Sequence, residues 1–196
     1  MIIISIDVGY HNMALVKLVC DEDYILKVDE VHVIDITKIP HRRVGRCECV
    51  LPHTSEVADM MAHFIQEYGY MLDEADMVLV ERQPPTGLTQ IETLLLYLYR
   101  SKTQLVSPNA MHSHFNIGHY EYDRRKEETV RIAESYLEGF TNLGRVHDAS
   151  DAVCLALFHT HKHREKARLK KIDRTLPFDK YRYEDRVRGT QWKVGT

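Results

Sequence analysis

The sequence predicts an α/β domain built on a mixed five-stranded sheet, with three antiparallel strands followed by parallel ones and helices on its faces. Three observations predict it. Short β-branched runs crowd the first 36 residues. Two more short apolar runs, at 77–80 and 104–106, are separated by helix-period stretches. The resulting order is β-β-β-α-β-α-β-α-α, a meander that passes into alternating strands and helices.

Each element has its own reason. IIISIDV at 2–8 is apolar and β-branched, as a buried strand requires. Gly9 permits a turn at positive φ, and Met13–Val19 returns as the second strand. Tyr24–Ile36 alternates and makes a third. Residues 37–54 lack periodicity, carry Pro40 and Pro52, and read as a loop. Thr54 or Ser55 caps a helix whose face holds Val57, Met60, Met61, Phe64 and Ile65. Met77–Val80 is a short strand ending at Glu81, and Pro84-Pro85 breaks the chain. A very apolar helix spans about Thr89 to Arg100. Gln104–Val106 is the fifth strand. Residues 109–122 read as a His-rich polar loop, Asp123–Leu137 as a charged helix and Asp148–His161 as the last core helix.

Composition narrows the class. The chain has 196 residues, 44% hydrophobic and 28% charged, an ordinary soluble profile. No stretch approaches the roughly 20 apolar residues of a membrane span. MIIISIDVG lacks a basic leader region and reads as a strand, not a signal peptide. Four cysteines in a chain of this length do not suggest a disulfide framework, so an intracellular, reducing compartment is expected. Residues 163–196 hold 11 basic and 5 acidic residues, whereas the rest holds 15 and 24. A basic tail on an acidic body suits a nucleic-acid arm or a solvated extension. Residues 1–162 are therefore taken as the domain and 163–196 as a basic C-terminal extension.

Four acids stand out. Asp7 lies inside an apolar strand, where a charge is costly unless paired or bound to a metal. Glu81 ends the strand VLVE. Asp148 and Asp151, in HDASDAV, share a helix face because i and i+3 are neighbours. A lone aspartate at a helix start is commonly a cap, but the joint pattern is more specific. Clustered carboxylates repel and raise one another's pKa. Mg²⁺ prefers oxygen ligands and relieves that repulsion, and two ions about 3.5–4 Å apart can activate water and stabilise the leaving oxygen of a phosphodiester.

SIDVGYHNMAL, VLVERQPP and HDASDAV together resemble the three acidic motifs of RuvC-like Holliday junction resolvases, in particular those of poxviruses and related large DNA viruses. SIDVGYHN is also similar to fungal mitochondrial resolvases. The resemblance covers most of residues 1–162. It implies an RNase H-like fold and a Mg²⁺-dependent endonuclease with two ions per site, Mn²⁺ being able to substitute. Asp7, Glu81, Asp148 and Asp151 are its implied metal ligands. It also implies a homodimer that nicks opposed strands of a four-way DNA junction, with the 89–99 helix as its dimer face. In YDRRKEETV, Arg124, Arg125 and Lys126 match the family's basic segment, and Lys126 is the residue implied to face the scissile phosphate. Glu127 and Glu128 depart from that pattern, which expects more basic residues there.

Other features admit more than one role. Cys47 and Cys49, with His41 and His53 on either side, offer four zinc donors or sit in a plain reduced loop, C-x-C being tighter than the usual zinc spacing. Arg42, Arg43 and Arg46 in that loop are DNA-contact candidates. His112, His114 and His119 crowd the loop after Pro108, as surface groups, a proton relay or a phosphate contact. Trp192 in the tail can stack on bases or pack on the body. The same acids also suit a nuclease of this fold acting on other branched DNA or on RNA–DNA hybrids. A non-catalytic junction binder is disfavoured, because carboxylates facing phosphates would only weaken binding.

Overall fold

The computed structural model of the chain describes residues 1–39, 50–140 and 143–175, of which 170–175 by backbone alone. His41, Arg42, Arg43, Arg46, Cys47, Cys49 and Trp192 lie outside the described residues. The chain divides into two compact units, Met1–His161 and Lys162–Thr196. The described residues of the second unit are helical.

The first unit is built on a five-stranded sheet. Its strands are β1 (Ile2–Asp7), β2 (Met13–Cys20), β3 (Leu26–Ile34), β4 (Met77–Glu81) and β5 (Thr103–Val106). Their spatial order is β3-β2-β1-β4-β5. β1–β2 and β2–β3 are antiparallel, whereas β1–β4 and β4–β5 are parallel. This is the mixed, RNase H-like sheet that the sequence leads one to expect. The described helices are α1 (Val57–Glu74), α2 (Thr89–Leu98), α3 (Pro108–His114), α4 (Tyr122–Leu137) and α5 (Val146–Thr175). None of them is long and apolar enough to cross a membrane.

Strand alternation divides the core into two layers. Ile4, Ile6, Met13, Leu15, Val78 and Val80 join a cluster with Phe64, Met71, Ile91 and Leu95 of α1 and α2. Ile3, Ala14, Val16, Leu18 and Leu79 join the opposite cluster with Ala133 of α4 and Ala149, Ala152, Val153 and Ala156 of α5. Ala149, Ala152 and Ala156 are fully buried and let α5 lie close to the sheet. At that contact the buried Ser5 hydroxyl donates to Ala152 O at 2.6 Å, which satisfies a group that would be costly to leave unpaired.

Several sequence expectations are corrected. Residues 108–114 are helical, not loop: Ser107 Oγ accepts from Ala110 N, and Pro108 fits the first turn, where no donor is needed. Neither Thr54 nor Ser55 caps α1, whose N-cap is Glu56; the Thr54 hydroxyl instead accepts from Glu56 N and donates to Asp59. α5 starts two residues earlier than expected and continues past His161. Gly9 is not at positive φ. It is needed for close approach, since a Cβ there would lie 3.1 Å from the Asn12 carbonyl.

Candidate metal-dependent nuclease site

Alternation decides where Asp7 points. Ile3 and Ser5 face α5, so Asp7 does too. Leu79 faces the same way, and with it Glu81. The parallel register pairs Ile6 with Val80, placing Asp7 level with Glu81 at the C-terminal ends of neighbouring strands. α5 delivers Asp148 and Asp151 from above, three residues apart and on one face. Carboxylate oxygens of Asp7, Asp148 and Asp151 lie within 4.8 Å of one another. Glu81 stands outside that trio but is hydrogen-bonded to Asp7. All four acids singled out in the sequence therefore converge.

The fold must carry this cluster against its electrostatic cost. Ile3, Ile4 and Ile6 are fully buried, at about 1.5–3 kcal/mol each, and hold β1 in the sheet. The effective penalty of a buried ion is several kcal/mol. Asp7 avoids part of it: burial, then the Glu81 and Asp151 charges, raise its pKa well above 3.8, so its proton is held tightly. Burial likewise raises Glu81, partly offset by its bonds to Asp7 and Gln83. Asp148 is also raised by burial, and Arg145 and Lys126 pull it back.

Two cations meet the helix-borne acids. Lys126 Nζ contacts Asp151 and lies 4.0 Å from Asp148 Oδ1. Burial pulls its pKa down most, but the Asp151 charge, the Asp151 hydrogen bond and the Asp7 charge together raise it, so it stays protonated. Arg145 Nε lies 3.1 Å from Asp148 Oδ2, yet its N–H is not directed there, and Oδ2 is buried without a hydrogen bond. With the Asn12 amide turned to satisfy its neighbours, its oxygen accepts from Arg145 Nη1 at 2.9 Å. Arg145 thus ties the β1–β2 turn to the start of α5.

A cleft of about 150 Å³ opens over the acids, lined by Asp7, Glu81, Asp151, Lys126, Arg125 and His112, among others. Lys126 and Arg125 line it. Arg124 does not; its guanidinium lies 4.1 Å over the Tyr120 ring. His112 is pushed toward neutrality by burial and then by Arg125. His114 faces away, its Nε2 3.2 Å from His161 Nδ1. His119 packs on Tyr120. His53 packs edge-on against His63. Cys154 is a buried core thiol, and burial pushes its pKa up.

Sequence reasoning missed the brace behind Glu81. Gln83 Nε2 donates to Glu81 Oε2 at 2.7 Å, Gln83 N donates to Glu92 Oε2 at 2.5 Å, and Leu88 N donates to Gln83 Oε1 at 3.2 Å. Gly87 lets this turn close, since a Cβ there would lie 2.8 Å from Pro84 and 2.9 Å from Gln83 Oε1. The two prolines and the glycine of RQPPTG signalled a turn; only the fold shows that it returns to the acid.

The oxygen-only donor set, its crowding and the buried Asp148 Oδ2 that takes no hydrogen bond fit a hard divalent cation.

Comparison with known proteins agrees with this frame. A family described as Poxvirus A22 protein matches residues 1–162. No curated protein sequence matches significantly. Among solved structures, the fowlpox virus resolvase in complex with substrate Holliday junction DNA is similar over 83% of this chain and 98% of its own, with TM-score 0.56 and 16% identity. The yeast mitochondrial Holliday junction resolvase is similar over 86% and 82%, with TM-score 0.58 and 16% identity. Thermus thermophilus RuvC is similar over 85% and 97%, with TM-score 0.53 and 17% identity. At these identities the likeness is one of fold.

Proposed function

The chain belongs to the poxvirus A22 protein family, and from that premise we propose that it is a metal-dependent, structure-selective endonuclease that resolves four-way DNA junctions by paired symmetric nicks. Its setting would be DNA recombination or viral concatemer processing, in the cytoplasm or nucleus of the host cell. Residues 1–162 form the nuclease domain in this reading, and 163–196 are its basic extension. The observation that carries it is the meeting of Asp7, Asp148 and Asp151 within 4.8 Å, with Glu81 bonded to Asp7 and Lys126 at the rim.

Asp7, Glu81, Asp148 and Asp151 would hold two Mg²⁺ ions, or Mn²⁺ in their place. Bound there, the ions would supply an activated water and charge stabilisation for in-line phosphodiester hydrolysis. The chain's own groups do the rest. Burial raises the pKa of Asp7 and Glu81, and a cation bound there would favour their charged forms. Gln83 keeps Glu81 aimed into the cleft. Lys126 and Arg125 hold the phosphodiester over the acids, where carboxylates alone would repel it. Arg124, Arg42 and Arg43 extend the contact along the backbone of the branched DNA.

Paired nicks need two sites, so the active form is a homodimer. α2 is the candidate face. Only Ile91 and Leu95 of its apolar side chains are buried, whereas Tyr97 and Leu98 are 78% and 50% exposed. Exposed large apolar groups on one helix suit a partner surface.

The test uses a labelled synthetic four-way junction, matched linear duplex and Mg²⁺, with Asp148→Asn in parallel. Symmetric nicks on the junction, absent on duplex and in the variant, are expected. Cutting of duplex or RNA–DNA hybrid instead would keep the metal site and discard the junction. Tight junction binding with no cutting would make the protein a binder.

A further inference from the structure

The acid cleft does not end at its cationic rim. His112 and Arg125 form a partition, and behind them lies a second hollow of about 370 Å³, within the usual size range of ligand pockets. Asn109, Ser113, Asn116 and His119 complete it with His112 and Arg125, and no carboxylate lines it. It is the polar counterpart of the acidic cleft, one side chain away.

The hollow is built on a fixed support. α3 is pinned by Met111, 2% exposed, and by Ile117 just beyond its end, 3% exposed. That anchoring turns Asn109, His112 and Ser113, spaced i, i+3 and i+4, outward on one face. The chain then reverses at Asn116, which holds φ at +57°, a conformation asparagine tolerates better than most residues. Among the described residues, the side chains of Asn109, Ser113 and Asn116 take no internal hydrogen bond. Two amides, each with donors and an acceptor, and a hydroxyl are thus unspent.

We infer that this hollow is a nucleotide subsite, which receives the residue flanking the scissile phosphate and reads its base edge, giving the enzyme a cleavage-sequence preference. The inference rests on the nuclease reading. A phosphodiester over Lys126 and Arg125 leaves the neighbouring nucleotide at the partition, and a neutral-to-cationic lining admits it without repulsion. Asparagine amides match the donor–acceptor pair of an adenine edge. At a branch point pairing and stacking are already weakened, so presenting a base to the hollow costs less than in duplex.

Single-turnover rates on four-way junctions that vary only in the base pairs next to the branch test it. The wild type is expected to spread those rates on the order of tenfold or more, the scale of one well-made amide–base pair. Asn109→Ala and Asn116→Gly, the latter keeping the left-handed backbone, should each compress the spread to within about threefold by slowing the favoured sequences. A wild type that cuts all sequences alike overturns the inference while leaving the nuclease intact. So do variants that keep the full ranking, or that slow every sequence equally. A wild type that cuts no junction at any sequence overturns the nuclease reading itself, and the subsite with it.

Discussion

The two strand-borne acids and the two helix-borne acids sit in one cluster but are kept in opposite ways. Asp7 and Glu81 are buried side by side and share a hydrogen bond, with Lys126 only a secondary influence on either. Asp148 and Asp151 each have a cation at hand, Arg145 and Lys126 respectively. Burial raises the pKa of both strand acids, whereas the helix pair is met by cationic side chains. A cation bound beside the strand pair would offset that burial cost, so the strand pair is the part of the site poised to bind. The helix pair is the part that can be rearranged by moving two flexible cationic side chains.

The sharpest way to break that contrast is Asp7→Asn. Junction cleavage should fall by about 10³-fold or more, the scale of a group that stabilises transition-state charge. Without metal the variant should be more stable than wild type at neutral pH. In wild type the folded chain holds the Asp7 proton to a pH above 3.8. That stabilisation is complete below 3.8 and is lost as pH rises through the raised value. Thermal melts of metal-free protein across this window should slope downward for wild type, and this component should vanish in the variant.

Next in size is Lys126→Ala, which strips the helix pair of its shared cation. A loss of about 10²–10³-fold in cleavage at saturating Mg²⁺ is expected, as for other charge-stabilising donors. Metal affinity, read by calorimetry, should rise, because Asp151 no longer has an internal partner. An unchanged affinity would mean that the two pairs are not distinct in the way described.

The smallest effect is expected at the brace. Gln83→Ala leaves every acid in place but removes the donor to Glu81. A loss of about 10–100-fold in metal affinity or rate follows from losing a group that orients a ligand. Gln83→Glu should be worse than alanine, since it replaces the donor to Glu81 with a second carboxylate.

The four acids were legible in the sequence because periodicities alone place them. A strand period of two puts Asp7 with Ser5 and Ile3, and a helix spacing of three puts Asp148 with Asp151. Lys126 came from the resemblance, not from spacing. What stayed hidden depends on chain reversals. Gln83 reaches Glu81 only because the Pro84–Gly87 turn folds back, and Arg145 meets both Asn12 and Asp148 only because two distant turns adjoin. α3 was hidden for a different reason: its histidines and asparagines are poor helix formers, and its helix depends on the Ser107 cap, Pro108 and the burial of Met111.

The level alignment of β1 and β4 has a consequence for descent. Nearly every side chain between Ile2 and Ile6, or between Met77 and Val80, is exchangeable for another apolar one of similar bulk, since the core asks only for volume. Length is not exchangeable. One residue gained or lost in either strand would turn its carboxylate to the α1 face, into the apolar cluster there. Lineages of this chain can therefore drift far in letters while the count of residues leading to each acid stays frozen, so ancestry here is better traced by spacing than by identity.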